Sequence, residues 1–170
     1  MLNLKISQCT DPSRVPELIK HCNSVYDELR RDAMAQKPDG TRWQYNDLYK
    51  NPLEIQNFIK NNEMFVAEID GCLAGCMRII CDEQRGSSSF QTLAVGPEFR
   101  GKKIAGKLVA FAENLSKSKG YRFIECDAQY GKTKKKRAKT QKKISWVFQV
   151  KNTKKRHLKL VSVYLRKILA

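Results

Sequence analysis

Residues 87–120, SSSFQTLAVGPEFRGKKIAGKLVAFAENLSKSKG, impose a strand, a tight basic turn and an amphipathic helix in immediate succession. Phe90, Thr92, Leu93 and Val95 favour extended backbone, and Gly96-Pro97 closes the strand because proline has no N–H to give a ladder. A helix opens among Arg100, Gly101, Lys102 and Lys103. Its apolar residues Ile104, Leu108, Phe111 and Leu115 recur at i, i+4, i+7 and i+11, one face of a 3.6-residue period. Lys117 and Lys119 suit the negative end of the helix dipole, and Gly120 is a natural residue just past the last turn. The first N–H groups of a helix have no carbonyl partner inside it, so this turn welcomes an anion. Arg100, Lys102, Lys103 and Lys107 add cations, while Gly101, Ala105 and Gly106 keep the turn low enough for a ligand to approach the backbone. The chemistry that fits is a diphosphate; a solvated basic helix start is the alternative reading of the same residues.

The run LAVGPEFRGKKIAGKL resembles the central motif of the GNAT family of N-acetyltransferases, in which a strand ending in Leu-Ala-Val precedes Pro-Glu-x-Arg-Gly and a pattern Arg/Gln-x-x-Gly-x-Gly/Ala. Arg100 and Ala105 match that last pattern, and Lys103 stands where its first glycine is expected. The resemblance implies an α/β fold: a mixed, mostly antiparallel sheet with a central parallel βαβ unit and flanking helices. It also implies that acetyl-CoA is the co-substrate. The backbone of Leu93, Ala94 and Val95 would pair with its pantetheine arm, and the turn formed by Arg100, Gly101, Lys102, Lys103, Ile104, Ala105 and Gly106 would hold its pyrophosphate.

The rest of the chain reads as elements that such a fold can use. Leu2 to Ile6 alternates like a strand, and Asp11 or Ser13 caps a helix whose stripe is Val15, Leu18, Ile19, Cys22, Val25, Tyr26 and Leu29. Lys37-Pro38-Asp39-Gly40 is a turn signal, and a second helix follows Pro52 through Ile55, Phe58 and Ile59. In the family the intervening segment lines the acceptor pocket, where Trp43, Tyr45 and Tyr49 either cover a ligand or seal a core edge. Met64 to Ile69 and Leu73 to Ile80 flank Asp70-Gly71, the strongest hairpin signal in the chain. The polar turn Asp82 to Gly86 continues this meander into the strand 87–95. Tyr121 to Ala128 then reads as a strand parallel to 87–95, completing a right-handed βαβ unit. In the resembled fold these two strands splay apart and admit the thioester arm.

Acetyl transfer to an amine needs a neutral nucleophile, a donor for the oxyanion and a proton for the leaving thiolate. A backbone N–H near Leu93 to Val95 is the family's oxyanion donor. Many members place a glutamate two residues before Leu-Ala-Val, but this chain has Gln91, which cannot take a proton. Glu125, Asp127 and Glu98 are the candidate bases, with Glu125 preferred. The family's thiolate-protonating tyrosine, in a pattern Ala-x-x-x-Tyr-x-x-x-Gly-Phe, has no match after Ala138, and Tyr130, just beyond the strand, is its substitute. Glu125 and Tyr130 are therefore the candidate catalytic residues. Orientation alone can supply effective molarities of ~10⁵ M or more.

Charge divides the chain sharply. Of its 33 Lys and Arg, 15 lie in residues 128–170, which contain no Asp or Glu; residues 1–127 hold 18 against 17 acids. A length of 170 residues suits one domain, 1–170, with a strongly basic segment 131–170. Residues 132–143 form a cationic run and Lys151 to His157 a second basic cluster, so that 132–159 is able to attract nucleic acid or another polyanion, and the apolar runs 144–150 and 158–169 fit a final hairpin. A polyanion-binding module that keeps the fold without the catalysis is thus the alternative to an N-acetyltransferase. The six cysteines form no CxxC pair and no metal-ligand spacing, so no metal is expected and the thiols read as reduced and mostly buried, those at 72, 76 and 81 included. Without an apolar leader or a bilayer-length run, the chain reads as soluble and cytoplasmic.

Overall fold

A computed structural model describes residues 3–34, 51–130, 147–149 and 161–169. The elements run β1 (Leu4–Gln8), α1 (Val15–Met34), α2 (Pro52–Lys60), β2 (Met64–Ile69), β3 (Cys72–Asp82), β4 (Ser87–Val95), α3 (Ile104–Ser118), β5 (Phe123–Tyr130), β6 (Val147–Gln149) and β7 (Val161–Ile168). Short 3-10 turns at Pro12–Arg14 and Pro97–Phe99 precede α1 and α3. The chain forms two compact units, residues 1–79 with 92–111 and residues 80–91 with 112–170, and β3, β4 and α3 each contribute to both.

In the first unit β1, β2 and β3 form an antiparallel order, from Leu4↔Ile69 and Ile69↔Cys72 outward. Asp70 and Gly71 both take positive φ, 50° and 81°, which is the backbone a two-residue hairpin demands. The Asp11 carboxylate accepts from the Ser13 N–H and starts the turn that feeds α1. Asn51 and Glu54 form a reciprocal capping box at α2, satisfying two helix-end donors at once. Val15, Leu18, Cys22 and Val25 of α1 and Ile55, Phe58 and Ile59 of α2 close over Met64, Val66, Cys76 and Ala94. Each large apolar side chain buried there contributes about 1.5–3 kcal/mol. Strand alternation turns Phe65 the other way, where its ring lies 5.4 Å from that of Phe111. A Cβ on Gly75 would stand 3.3 Å from Leu108 and 3.4 Å from Ile104, so β3 needs a glycine where the first turns of α3 cross it.

In the second unit the order is β3-β4-β5-β7-β6. β4 and β5 run parallel from Ser87↔Phe123 to Phe90↔Cys126, and β5 pairs antiparallel with β7 from Phe123↔Ile168 to Tyr130↔Val161. Ser88 and Ser116 share a buried 2.5 Å hydrogen bond; Ser116 in turn donates to the Ala112 carbonyl, so the hydroxyls satisfy each other on the closing turns of α3. Gly120 at φ 73° lets the Tyr121 N–H return to the Ser116 carbonyl at 3.0 Å, the glycine-terminated helix end anticipated from sequence.

The mixed sheet, antiparallel meander, parallel βαβ unit and flanking helices match the sequence reading. Four details differ. β1 begins two residues later than the alternation suggested, and α3 starts at Ile104 because a 3-10 turn and a left-handed step occupy 97–103. β5 begins at Phe123, since Tyr121 completes the helix cap, and it runs to Tyr130, which is therefore a strand residue. Cys72 and Cys81 are exposed near the ends of β3, whereas Cys9, Cys22, Cys76 and Cys126 are buried. Trp43, Tyr45 and Tyr49, and the cationic run 132–143, lie outside the described residues. Among the described residues no helix is long and apolar enough to cross a membrane, and no cluster of His, Cys, Asp and Glu could hold a metal.

Candidate functional site

The last residues of β4 and the turn into α3 lie within the first unit. Gly96 N–H donates to the Ala74 carbonyl at 3.1 Å, so strand alternation aims the backbone groups of Ala94 at β3 and those of Leu93 and Val95 at the opposite edge. That edge can pair with an extended ligand. The Ala94 side chain itself is buried in the core.

After Val95 the chain makes a 3-10 turn at Pro97–Phe99 and two left-handed steps, Gly101 at φ 77° and Lys103 at φ 63°. The first is cost-free for glycine. The second is not, and a lysine held there stores about 1–3 kcal/mol of backbone strain. Lys103 thus takes a left-handed conformation that glycine adopts readily and lysine does not. The helical ladder begins when the Lys107 N–H reaches the Lys103 carbonyl at 3.1 Å, and the amides of Ile104, Ala105 and Gly106 precede it. Ile104 is buried and anchors the turn; Arg100, Lys102, Lys103, Ala105, Gly106 and Lys107 are exposed around it. A Cβ at Gly101 or Gly106 would meet nothing within 4 Å, so an incoming group has room above those amides. Lys102 Nζ lies 5.0 Å from the centre of the Phe99 ring. Three amides, a helix dipole and four cationic side chains suit a diphosphate.

β4 carries a feature that the sequence did not disclose. Thr92 has φ 51°, an outlier for a β-branched residue in a strand. Burial pushes the Tyr26 phenol of α1 well above its usual range, a rise that the neighbouring Thr92 side chain opposes, so it stays protonated. On the same helix, the half-buried His21 ring has its Nε2 buried with no hydrogen-bond partner. Burial lowers the His21 pKa, opposed by the backbone of Ala94 and by the charges of Glu98 and Glu17.

The second unit holds the candidate catalytic residues. Glu125 is buried at 3% exposure, and its carboxylate lies 3.6 Å from the Arg85 guanidinium. Tyr130 ends β5 opposite Val161. Asp127, also on β5, stands opposite Tyr164 of β7, and Gln91 is exposed; in the first unit, Glu98 folds its exposed carboxylate back over Gly96.

A model of the acetyltransferase (GNAT) family matches residues 22–138. No curated protein matches the chain in sequence. Among solved structures, a GNAT-family acetyltransferase from Listeria monocytogenes is similar with a TM-score of 0.74 at 15% identity, over 99% of this chain and 98% of that one. The PaiA N-acetyltransferase of Thermoplasma acidophilum, solved in complex with coenzyme A, gives 0.69 at 16% identity over 98% and 99%. YncA of Salmonella typhimurium, a putative acetyltransferase solved with acetyl-CoA, gives 0.64 at 13% identity over 99% and 95%.

Proposed function

The chain belongs to the acetyltransferase (GNAT) family, and from that premise we propose that it transfers the acetyl group of acetyl-CoA to a primary amine by direct attack. The observation that carries this reading is the turn before α3: two left-handed steps, Gly101 and Lys103, present the amides of Ile104, Ala105 and Gly106 beneath Arg100, Lys102, Lys103 and Lys107. These residues grip the diphosphate. The outward backbone edge of Leu93 and Val95 pairs with the pantetheine amides, and an N–H of that edge stabilises the oxyanion formed when the amine adds to the thioester carbonyl. Collapse forms the amide bond and breaks the carbon–sulfur bond. The amine's proton passes, through water, to Glu125, and the thiolate takes a proton from Tyr130. Similarity to proteins solved with coenzyme A and with acetyl-CoA supports the choice of co-substrate.

Thermal unfolding with and without acetyl-CoA tests the reading, because a ligand bound only to the native state raises its melting temperature. Release of free CoA thiol is then followed across a panel of polyamines, peptide amino termini, lysine and amino sugars. A melting temperature unmoved by millimolar acetyl-CoA overturns the proposal.

A second reading rests on the 15 basic and no acidic residues of 128–170. In it the chain binds a polyanion through that segment and transfers nothing. Affinity for duplex nucleic acid that falls steeply with salt, together with CoA binding but no amine-dependent thiol release, would favour it.

A further inference from the structure

Three of the buried thiols, Cys9, Cys22 and Cys76, belong to the core that α1 and α2 close over β2 and β3. Two of them touch. The Sγ atoms of Cys22 on α1 and Cys76 on β3 stand 3.4 Å apart, 54 positions separate the residues in sequence, and both are wholly buried. Thiols donate and accept hydrogen bonds weakly, so little of the seating of α1 depends on their polarity, and acetyl transfer gives them no task. What two sulfurs in contact can do, and two methyl groups cannot, is lose their hydrogens and bond to each other.

We propose that Cys22 and Cys76 form an oxidation site, at which a hydroperoxide converts the touching thiols into a disulfide that pins α1 to β3. This goes beyond the acetyl-transfer reading and does not depend on it. To bond, the sulfurs must close from 3.4 Å to about 2.05 Å. β3 is poorly placed to supply that movement, because Cys76 is paired with Val66 of β2, the Ala74 carbonyl holds the Gly96 N–H at 3.1 Å, and Gly75 lies against the Ala94 backbone. α1 rests on the sheet through side chains such as Leu18 and Val25, so rotation of Cys22 about its side-chain bonds, with a small settling of the helix, closes the gap. A bond between residues so distant in sequence removes much of the freedom of the unfolded chain and therefore stabilises the first unit.

One sulfur, as thiolate, attacks an oxygen of the hydroperoxide: a sulfur–oxygen bond forms, the oxygen–oxygen bond breaks, and the departing oxygen takes a proton and leaves as water or an alcohol. The second sulfur attacks the sulfenic acid so formed. The sulfur–sulfur bond forms, the sulfur–oxygen bond breaks, and water leaves with the remaining thiol proton. Two electrons have passed from the pair of sulfurs to the peroxide. With its partner in contact, the sulfenic acid is resolved before it is oxidised further. The Cys22 contact and burial keep the Cys76 thiol protonated in the native chain, and only thiolate reacts, so the bond forms slowly, through brief openings of the core. The same burial shields it afterwards from dissolved thiols, which must reach a sulfur to reduce it. The pair is a slow latch.

The test uses the whole chain carrying Cys72→Ser and Cys81→Ser, so that the exposed thiols form no links between molecules. The native protein is incubated with hydrogen peroxide, quenched with catalase, alkylated in urea without reductant and mapped by peptide mass. The peptides of Cys22 and Cys76 are expected as one linked pair, the chain lighter by two hydrogens, with Cys9 and Cys126 alkylated. The oxidised chain should melt roughly 5–15 °C above the reduced one, and reduction by dithiothreitol in urea followed by refolding should abolish the shift. Cys22→Ala in the same background should gain neither link nor shift; if that variant does not fold, the reversal by dithiothreitol in its parent makes the same comparison. Separate alkylation of Cys22 and Cys76 after peroxide, sulfinic acid in place of the link, a link from either residue to Cys9, or a linked chain that melts no higher than the reduced one overturns the proposal. So does an equal yield of the link when peroxide acts on the chain in urea, because the fold would then have no part in bringing the pair together.

Discussion

A Cβ placed on Gly75 would stand 2.9 Å from the carbonyl oxygen of Ala94, closer than any real contact allows. The obstruction is backbone, and Ile104 and Leu108 crowd the same point from α3. Gly75→Ala is therefore expected to destabilise the chain by roughly 1–3 kcal/mol, the usual penalty of overpacking. Gly75→Val should cost more and weaken acetyl-CoA binding, because Ile104 carries the turn. Urea denaturation with a CoA titration measures both; an Ala variant as stable as the parent would refute the packing argument.

Lys103 separates strain from charge. Lys103→Ala keeps the disfavoured φ and removes the ammonium, whereas Lys103→Gly removes both. The glycine variant should be the more stable of the two by roughly 1 kcal/mol. Both should bind acetyl-CoA more weakly than the parent and with a shallower dependence on salt. Equal denaturation midpoints for the two variants would contradict the strain assigned to residue 103.

His21 makes stability depend on acidity. Its native pKa is lowered, chiefly by burial, from an ordinary value of 6.5. Between those values the unfolded chain binds the proton and the native chain does not, so the free energy of unfolding falls as pH drops below about 6.5. The loss levels off once pH passes below the native value. His21→Asn should flatten this part of the profile, measured as urea midpoints from pH 7.5 to pH 5; a parallel profile in the variant would remove His21 as its source.

Thiol chemistry should divide the cysteines. Cys72 and Cys81 are exposed, while Cys9, Cys22, Cys76 and Cys126 are buried. Burial raises the Cys9 thiol, and the Cys22 contact together with burial pushes the Cys76 thiol higher still. Brief alkylation of the native chain should label positions 72 and 81, and unfolding should expose the other four, as read by peptide mass. Rapid labelling of Cys76 in the native chain would contradict the packing of α1 on β3.

Glu125→Gln keeps the shape and removes the proposed base. The expected loss in kcat is about 10²-fold or more, with KM for acetyl-CoA little changed. Steady-state kinetics decides; a kcat within twofold of the parent would transfer the task to Asp127 or to water alone.

Much of this was legible in the residues because local chemistry and tertiary demand agree. Asp70-Gly71 takes the left-handed pair that its composition favours, and Ile104 and Leu108 of the predicted apolar face are buried. The tight turn before α3 was readable even with lysine at 103, which takes the left-handed backbone that glycine favours. What stayed hidden depends on distant partners. Thr92 reads as an ordinary strand former, and nothing in its own residue type announces the positive φ it takes in β4. His21 was read as a packed ring beside a helix stripe, and no pattern announces that its Nε2 is buried without a partner. Cys72 and Cys81 were placed inside because thiols usually are, but they sit near the strand ends, where the sheet no longer covers them.

The reciprocal Asn51–Glu54 bonds have a consequence for how this chain can diversify. A helix that supplies its own beginning takes no instruction from the residues ahead of it, so insertions or replacements in 35–50 need not disturb the register of Ile55, Phe58 and Ile59. Those two bonds act as a firebreak: natural variation can rewrite the stretch upstream while the core downstream inherits none of the damage.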